Sequence, residues 1–359
     1  MAYSSITKPE DYFNTTIWSG NNTSPRTITT NVDNDLVWVK NRSHAYSHYW
    51  LDSVRGVGTS SDGKQLRSDS NSANITATSN GYISGLGNTG FTLTTGSSDF
   101  ERLNANGMTY CAWTWRANGQ GSSNTDGSTN TTYTSVNTTA GFSISTYAGS
   151  GSLATIGHGL GVAPKVVLIK STSHTENWVM YHASLGAGKY IYLNNADGAG
   201  PGSGTNTSIF NNTAPTSSVF TVNTDGTSNG SGKNYVAYCF AEKTGYSKFG
   251  SYTGNGNTDG MFVYTGFKPA LIILKHSNSN GNNWRIIDNK RDPDNVTQKE
   301  LYPSTNDAEG SSDRMDLLSN GFKLRSSGSP VNDGEYIYMA FAEEPLVANV
   351  GQSIPATAR

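Results

Sequence analysis

Tyr336-Ile337-Tyr338-Met339-Ala340-Phe341-Ala342-Glu343 is the stretch on which the fold turns. Its apolar residues do not alternate with polar ones, so it reads as a central β-strand covered on both faces. The same segment is written twice more, as Tyr110-Cys111-Ala112-Trp113-Thr114-Trp115 and as Tyr235-Val236-Ala237-Tyr238-Cys239-Phe240-Ala241-Glu242. A sheet containing such a strand lies between its own sandwich core and something else, either a neighbouring repeat or a second chain.

Working outward, the whole chain resolves into three copies of one pattern. Each opens on an aromatic residue and a glycine turn: Trp18-Ser19-Gly20-Asn21, Tyr147-Ala148-Gly149-Ser150 and Tyr252-Thr253-Gly254-Asn255. An apolar run closed by lysine follows, Leu36 to Lys40, Val166 to Lys170 and Leu271 to Lys275. Next come a half-apolar segment (His48 to Asp52, Trp178 to His182, Trp284 to Asp288) and an alternating one at Gly90-Phe91-Thr92-Leu93, Ser218 to Val222 and Gly321 to Leu324. The lysines are 130 and then 105 positions apart, far longer than solenoid repeats of roughly 20 to 50 residues. Each copy is large enough to be a domain.

Helical periodicity is absent, whereas Asp62-Gly63, Asn80-Gly81, Asp225-Gly226, Asn320-Gly321 and Asp333-Gly334 supply hairpin turns. The expected fold is all-β: three tandem antiparallel β-sandwich repeats, jelly-roll-like, with about seven or eight strands in the middle copy. Expected boundaries are an N-terminal arm at 1–12, repeats at 13–118, 141–243 and 244–345, a Gly/Ser/Thr linker at 119–140 and a tail at 346–359. The linker accounts for the longer first period.

Composition narrows the function. Apolar residues are 34% and charged residues 14% of the 359, below usual values for soluble domains of ~45–50% and ~25%. Yet 19 Tyr, 12 Phe and 7 Trp at recurring positions argue against disorder. A net charge of −2 with scattered Lys and Arg offers no basic stripe for nucleic acid, and the short apolar runs rule out a membrane-spanning helix. No secretory leader is legible. Two cysteines make no disulfide framework, and Cys111 and Cys239 fall on opposite faces of their strands, so both are expected to be buried thiols in a chain assembled in a reducing cytoplasm.

Candidate chemistry was sought where one copy departs from the others. Asp288, Asp292 and Asp294 in the third copy stand at i, i+4 and i+6, a spacing that can ligate calcium through oxygen, without the mid-loop Gly or closing Glu of an EF-hand, and an Asp-rich turn explains them as well. His44 and His48 lack partners at zinc spacing. His182 occupies the place of Asp52 and Asp288, where a polar residue at a strand end would satisfy the adjacent loop. Gly149-Ser150-Gly151 is a turn and not a nucleophile elbow. Asp52 or Asp288 with Glu300 or Glu309 would supply the two carboxylates of a glycosidase, but the positions shared by all copies are aromatics, glycines and lysines. Lys40, Lys170 and Lys275 are expected to be structural, capping sheet edges or lying over aromatics. Tyr46, Tyr49, Trp50, Tyr181 and Tyr302 are the candidates for stacking on a glycan or partner, against core or interface packing as the alternative.

Taken together, Tyr252-Thr253-Gly254-Asn255-Gly256, Gly266-Phe267-Lys268-Pro269-Ala270, Lys275, Trp284 to Asp288 with Lys290-Arg291, Leu318 to Phe322 and Tyr336 to Glu343 resemble a repeat domain of unknown function found in virion and tail-fibre-like proteins of marine bacteriophages. The first copy departs from it, with Val32-Asp33-Asn34-Asp35 in place of Gly-Phe-x-Pro. The resemblance implies a structural virion component without catalytic residues, metal or cofactor. It points to a tail fibre or peripheral adhesin that meets the host surface. A capsid or tail decoration protein and a glycan depolymerase are the alternatives. Expected partners are other copies of the chain, as a homotrimer, other virion proteins and a host-surface glycan.

Overall fold

The computed structural model describes residues 4–345, so the expected tail at 346–359 lies outside the described residues. The first third of the chain forms β1 (Phe13–Ser19), β2 (Arg26–Thr29), β3 (Leu36–Asn41), β4 (Tyr49–Asp52), β5 (Tyr82–Gly87), β6 (Gly90–Thr94) and β7 (Thr109–Trp115). The second forms β8 (Tyr133–Asn137), β9 (Phe142–Ala148), β10 (Ala154–Gly157), β11 (Val166–Ser171), β12 (Val179–His182), β13 (Ile191–Tyr192), β14 (Val219–Val222) and β15 (Asn234–Phe240). The last forms β16 (Ser247–Thr253), β17 (Phe262–Tyr264), β18 (Phe267–His276), β19 (Arg285–Asp288), β20 (Thr297–Glu300), β21 (Gly310–Leu318), β22 (Gly321–Leu324) and β23 (Glu335–Pro345). The chain is all-β with antiparallel sheets, and no described helix is long and apolar enough to cross a membrane.

The main sheet of the first third has the order β1-β7-β3-β4. That order recurs as β9-β15-β11-β12 inside a six-stranded sheet and as β16-β23-β18-β19. Each main sheet packs one face on a second sheet, β2-β6-β5, β10-β14 or β17-β22-β21-β20. Alternate residues of the lysine-ended strands supply these inner cores: Val37 and Val39 with Phe91 and Leu93, Val167 and Ile169 with Phe220 and Val222, Ile272 and Leu274 with Phe322 and Leu324. The segment expected as a linker at 119–140 is corrected in part, because it contributes β8, hydrogen-bonded to β9 as the outer strand of the second main sheet.

The residues shared by all three copies now have physical reasons. Each opening aromatic stacks on the tyrosine that starts the closing strand: Trp18 on Tyr110 at 5.4 Å, Tyr147 on Tyr235 at 5.2 Å and Tyr252 on Tyr336 at 4.9 Å between ring centroids. Each of those tyrosines donates its hydroxyl to a loop carbonyl, of Glu101, Gly226 or Ser329. The turn glycines Gly20, Gly149 and Gly254 press against the backbone of Ala105, Gly230 and Asn332, where a Cβ would overlap.

The second face of each main sheet meets the other two. Leu36, Trp38, Trp113 and Trp115, then Val166, Leu168, Tyr238 and Phe240, then Leu271, Ile273, Met339 and Phe341 belong to one continuous core. The equivalent residues Trp115, Phe240 and Phe341 touch one another in a closed triangle, with centroid separations of 6.3, 5.5 and 5.8 Å. The doubly apolar strands are therefore covered by other parts of the same chain. The two cysteines do face opposite ways, Cys111 into this shared core and Cys239 into the inner core of the second third. Burial pushes the Cys111 thiol up to about 12, so it is protonated and inert. Ile6 of the N-terminal arm is also in the shared core, and Ser5 donates its N–H to the Thr244 carbonyl at 3.2 Å.

Truncating one member of the aromatic triangle removes contacts in all three parts at once. Phe341→Ala is expected to cost about 3–5 kcal/mol and to lower the midpoint of a single urea transition. A separate, earlier transition for residues beyond 244, read by tryptophan fluorescence and circular dichroism together, would contradict the shared core.

Candidate functional site

The seams between the three parts gather a recurring set of buried polar groups, and they follow one rule. Each part reaches back to its predecessor, and the first reaches to the third. Trp178 donates its indole N–H to the Arg67 carbonyl at 2.8 Å, and Trp284 does the same to Tyr192 at 2.8 Å. His48 holds the corresponding place in the first part, with Nε2 at 2.9 Å from the Tyr302 carbonyl. Trp38 donates its indole N–H to His48 Nδ1 at 2.8 Å, which fixes Nδ1 as acceptor and Nε2 as the protonated nitrogen. Burial pushes this imidazole down to about 4, in keeping with its neutral role.

One turn deeper, Asp52, His182 and Asp288 serve the loops that follow them, as their shared position suggests. Asp52 accepts the N–H of Arg55, Asp288 accepts those of Lys290 and Arg291, and His182 Nδ1 accepts that of Ser184. Each also contacts the preceding or following part. Tyr238 donates its hydroxyl to Asp52 Oδ2 at 2.7 Å, Trp113 its N–H to Asp288 Oδ2 at 3.0 Å, and His182 Nε2 lies 3.2 Å from the Tyr338 carbonyl. Arg55 and Arg291 close ion pairs of 2.6 Å with Asp52 and Asp288. In the second part, Leu185 stands where the arginines stand, and in the third Met339 holds the place of Trp113 and Tyr238.

The aligned lysines are neither edge caps nor surface snorkels. Each turns toward the shared core, fully buried, with its ammonium on backbone carbonyls. Lys170 donates to Ser171 and to Asn71 of the first part, and Lys275 to His276, Asn282 and Ala196 of the second. Lys40 donates to Asn41 and His44. Burial pulls Lys40, Lys170 and Lys275 down to about 8, 7 and 8.

The residues expected to meet a glycan do not form a surface. Tyr49, Trp50 and Tyr181 are buried, at 1, 3 and 5% exposure. Trp50 packs against Trp38, Trp178 and Tyr238 in the shared core, and Tyr49 donates its hydroxyl to Gly63. Tyr46 and Tyr302 are half-buried, the latter under Arg285 with its hydroxyl on Glu300. These packing positions correct the expectation of an aromatic stacking surface. The Asp288–Asp294 segment is not drawn into a cage: Asp288 is committed to Arg291 and Trp113, Asp292 caps Gln298 and Lys299, and Asp294 is exposed. Among the described residues no group of three or more His, Cys, Asp or Glu gathers to hold a metal.

The carboxylates weighed for glycoside cleavage are each held by arginine. Glu309 bridges Arg42 at 2.8 Å and Arg291 at 3.0 Å, and Glu300 bridges Arg285 at 2.9 Å and Arg314. Burial alone would raise the Glu300 carboxyl, but Arg314 and Arg285 hold it below its usual value. A general acid needs the opposite shift.

What sequence reading missed lies at these seams. A cavity of about 540 Å³ is a groove between the first and second parts lined by Arg55, Lys64, Asn74, Tyr133, Thr172 and Asn234, among others. The recurrence of Asp-x-x-Arg at 52–55 and 288–291 was the available signal for the buried pairs. No short-range signal marks the groove.

Two outcomes follow from the seams. Asp52→Ala strands the buried Arg55 guanidinium and is expected to cost about 3–5 kcal/mol, whereas His182→Ala, which strands only neutral groups, should cost about 1–3 kcal/mol. His48 and His182, each pushed down to about 4 by burial, bind a proton more readily when unfolded. Stability should therefore fall as pH drops from about 6.5 toward 4, by up to about 3 kcal/mol per histidine. Urea midpoints measured across that window should show a shallower slope in His48→Gln and His182→Gln.

No curated protein and no solved structure matches the chain. A family model does, described as a domain of unknown function (DUF7483), and the match runs over residues 8–345. It takes in all three copies of the pattern and the β8 insertion as one unit, which agrees with a core to which every part contributes. The chain thus belongs to the DUF7483 family of domains of unknown function.

Proposed function

We propose that this chain is a non-catalytic structural component of a bacteriophage particle, a tail fibre or peripheral adhesin whose three tandem β-sandwich repeats form one rigid head. The observation that carries this reading is the closed triangle of Trp115, Phe240 and Phe341. It gives a single chain three similar lobes around a common axis, a shape suited to seating on a threefold-symmetric fibre or vertex. The shared positions of the pattern go into packing, and the candidate acids are neutralised by arginine, which speaks against a depolymerase built on them. The resemblance of the motif to phage virion repeats supplies the virion setting.

Other virion proteins and further copies of the chain are the partners this reading proposes. The closing strands leave no bare face for a homotrimer. Copies would instead meet through outer surface such as the β17 edge, where Met261, Phe262 and Tyr264 are 43, 43 and 56% exposed. The proposed location is the virion, after assembly in the host cytoplasm, with no metal or cofactor required.

Cryo-electron microscopy of intact particles that carry the chain tests the assignment. Three-lobed density at the distal end of a fibre or at the tail periphery is the expected result. Density spread over the capsid lattice would replace the adhesin with a decoration protein. Absence of the chain from purified particles would remove the virion reading altogether.

A further inference from the structure

The three seams use one backbone contact, and its side chains decide whether the seam is filled. Glu309 donates its N–H to the Arg42 carbonyl at 2.9 Å, Asn74 to Thr172 at 2.9 Å and Ala199 to Ser277 at 2.7 Å. These are equivalent positions, each two residues past the buried lysine on one side and in the preceding part's loop on the other. Between the third and first parts they carry a bidentate ion pair, Arg42 Nε and Nη2 on Glu309 at 2.9 and 2.8 Å, which occupies the space. Between the first and second parts the same positions carry Thr172 and Asn74, and the space is open as the groove of about 540 Å³. A smaller groove of about 400 Å³ lies at the second seam, beside Ser277 and Ala199.

The larger groove has a wall that the others lack. The insertion that lengthens the first period places β8 along β9, and its first residues, Thr132 and Tyr133, line the opening with Thr146. Tyr133 is a large aromatic left 37% exposed. Opposite and around it stand Asn74, Thr172, Ser173 and Asn234. Charge is balanced within the walls, since Arg55 is paired with Asp52 and Lys64 with Asp62 at 3.1 Å. Hydroxyls and amides around one exposed ring, without net charge, match a ligand with many hydroxyls and an apolar ring face.

We propose that the groove between the first and second parts, walled by Tyr133, Asn74, Thr172 and Asn234, is a binding site for a neutral saccharide. This rests on the host-contact reading above and gives it a site. Tyr133 stacks on a sugar ring, while Asn74, Thr172 and Asn234 exchange hydrogen bonds with its hydroxyls. The site stands where the threefold pattern is broken, by an added strand on one side and a missing ion pair on the other.

The test uses the full chain with maltohexaose, cellohexaose, laminarihexaose and a linear mannohexaose, titrated to millimolar concentration by calorimetry and checked by saturation-transfer NMR. At least one is expected to bind, with affinity weakened about tenfold or more by Tyr133→Ala and by Asn234→Ala. A second variant separates the groove from the rest of the surface: Asn74→Glu with Thr172→Arg rebuilds in this seam the ion pair of the third one. It should abolish binding at an unchanged urea midpoint, while Tyr264→Ala, on an exposed aromatic of β17, should leave binding intact. Failure of all four sugars to bind, or binding that survives the rebuilt ion pair, would overturn the proposal. Either result leaves the particle location to be read independently, so a distal head without a sugar groove is distinguishable from a chain that never meets the host.

Discussion

The mutual burial of three β-sheets on one core is the constraint from which the rest of this structure follows. A main sheet such as β1-β7-β3-β4 carries Leu36, Trp38, Trp113 and Trp115 on the face turned from its own small sheet. Left in water, that face would be a patch of a kind that soluble monomers rarely expose. Burying a side chain of this size contributes on the order of 1.5–3 kcal/mol, and each sheet finds that burial only against the other two. A closed ring of three covers every such face within one chain.

Closing the ring creates seams, and the seams explain the polar residues that composition alone would place outside. Indole, imidazole, carboxylate and ammonium groups there are buried, and a buried polar group is costly without a partner. Many find one across the seam or in the adjacent loop, as Trp178 does at Arg67 and Tyr238 at Asp52, whereas the indole N–H of Trp115 is buried without one. The exchange of donors is cyclic, but its chemistry is not uniform. Two seams use an Asp–Arg pair, and the remaining one uses His182 with Leu185 and Met339 nearby. Neutral side chains at this position avoid the desolvation of an ion pair, so equivalent positions hold different solutions to one geometric problem.

Much of the fold was legible in the sequence, because it is encoded in patterns that local physics dictates. Strand character, hairpin turns and the double burial of Tyr336 to Phe341 all reflect short-range periodicity. The opposite placement of Cys111 and Cys239 followed from the same period of two. The site was less legible for a physical reason. Aromatics such as Trp50 and Tyr181 look alike in sequence whether they stack on a ligand or fill a core, and only the distant sheets that cover them decide. Lys170 is a similar case, since its acceptor at Asn71 lies 99 residues away. The linker at 119–140 read as spacer because β8 pairs along an already complete strand order and adds no new hydrophobic face of its own.

A shared core also sets what the smallest working unit of this family can be. One copy of the pattern, though large enough by residue count to be a domain, would expose its main sheet's second face and lose the partners of its seam residues. The family match over residues 8–345 as one span accords with that requirement. The copies also differ at places the ring does not need: outer loops, edge strands such as β8 and β17, and the side chains at each seam's outer rim. Arg42 with Glu309 and Thr172 with Asn74 share one backbone contact yet leave very different space above it. Where the copies differ at such rims, a groove of new chemistry can open without disturbing the core beneath.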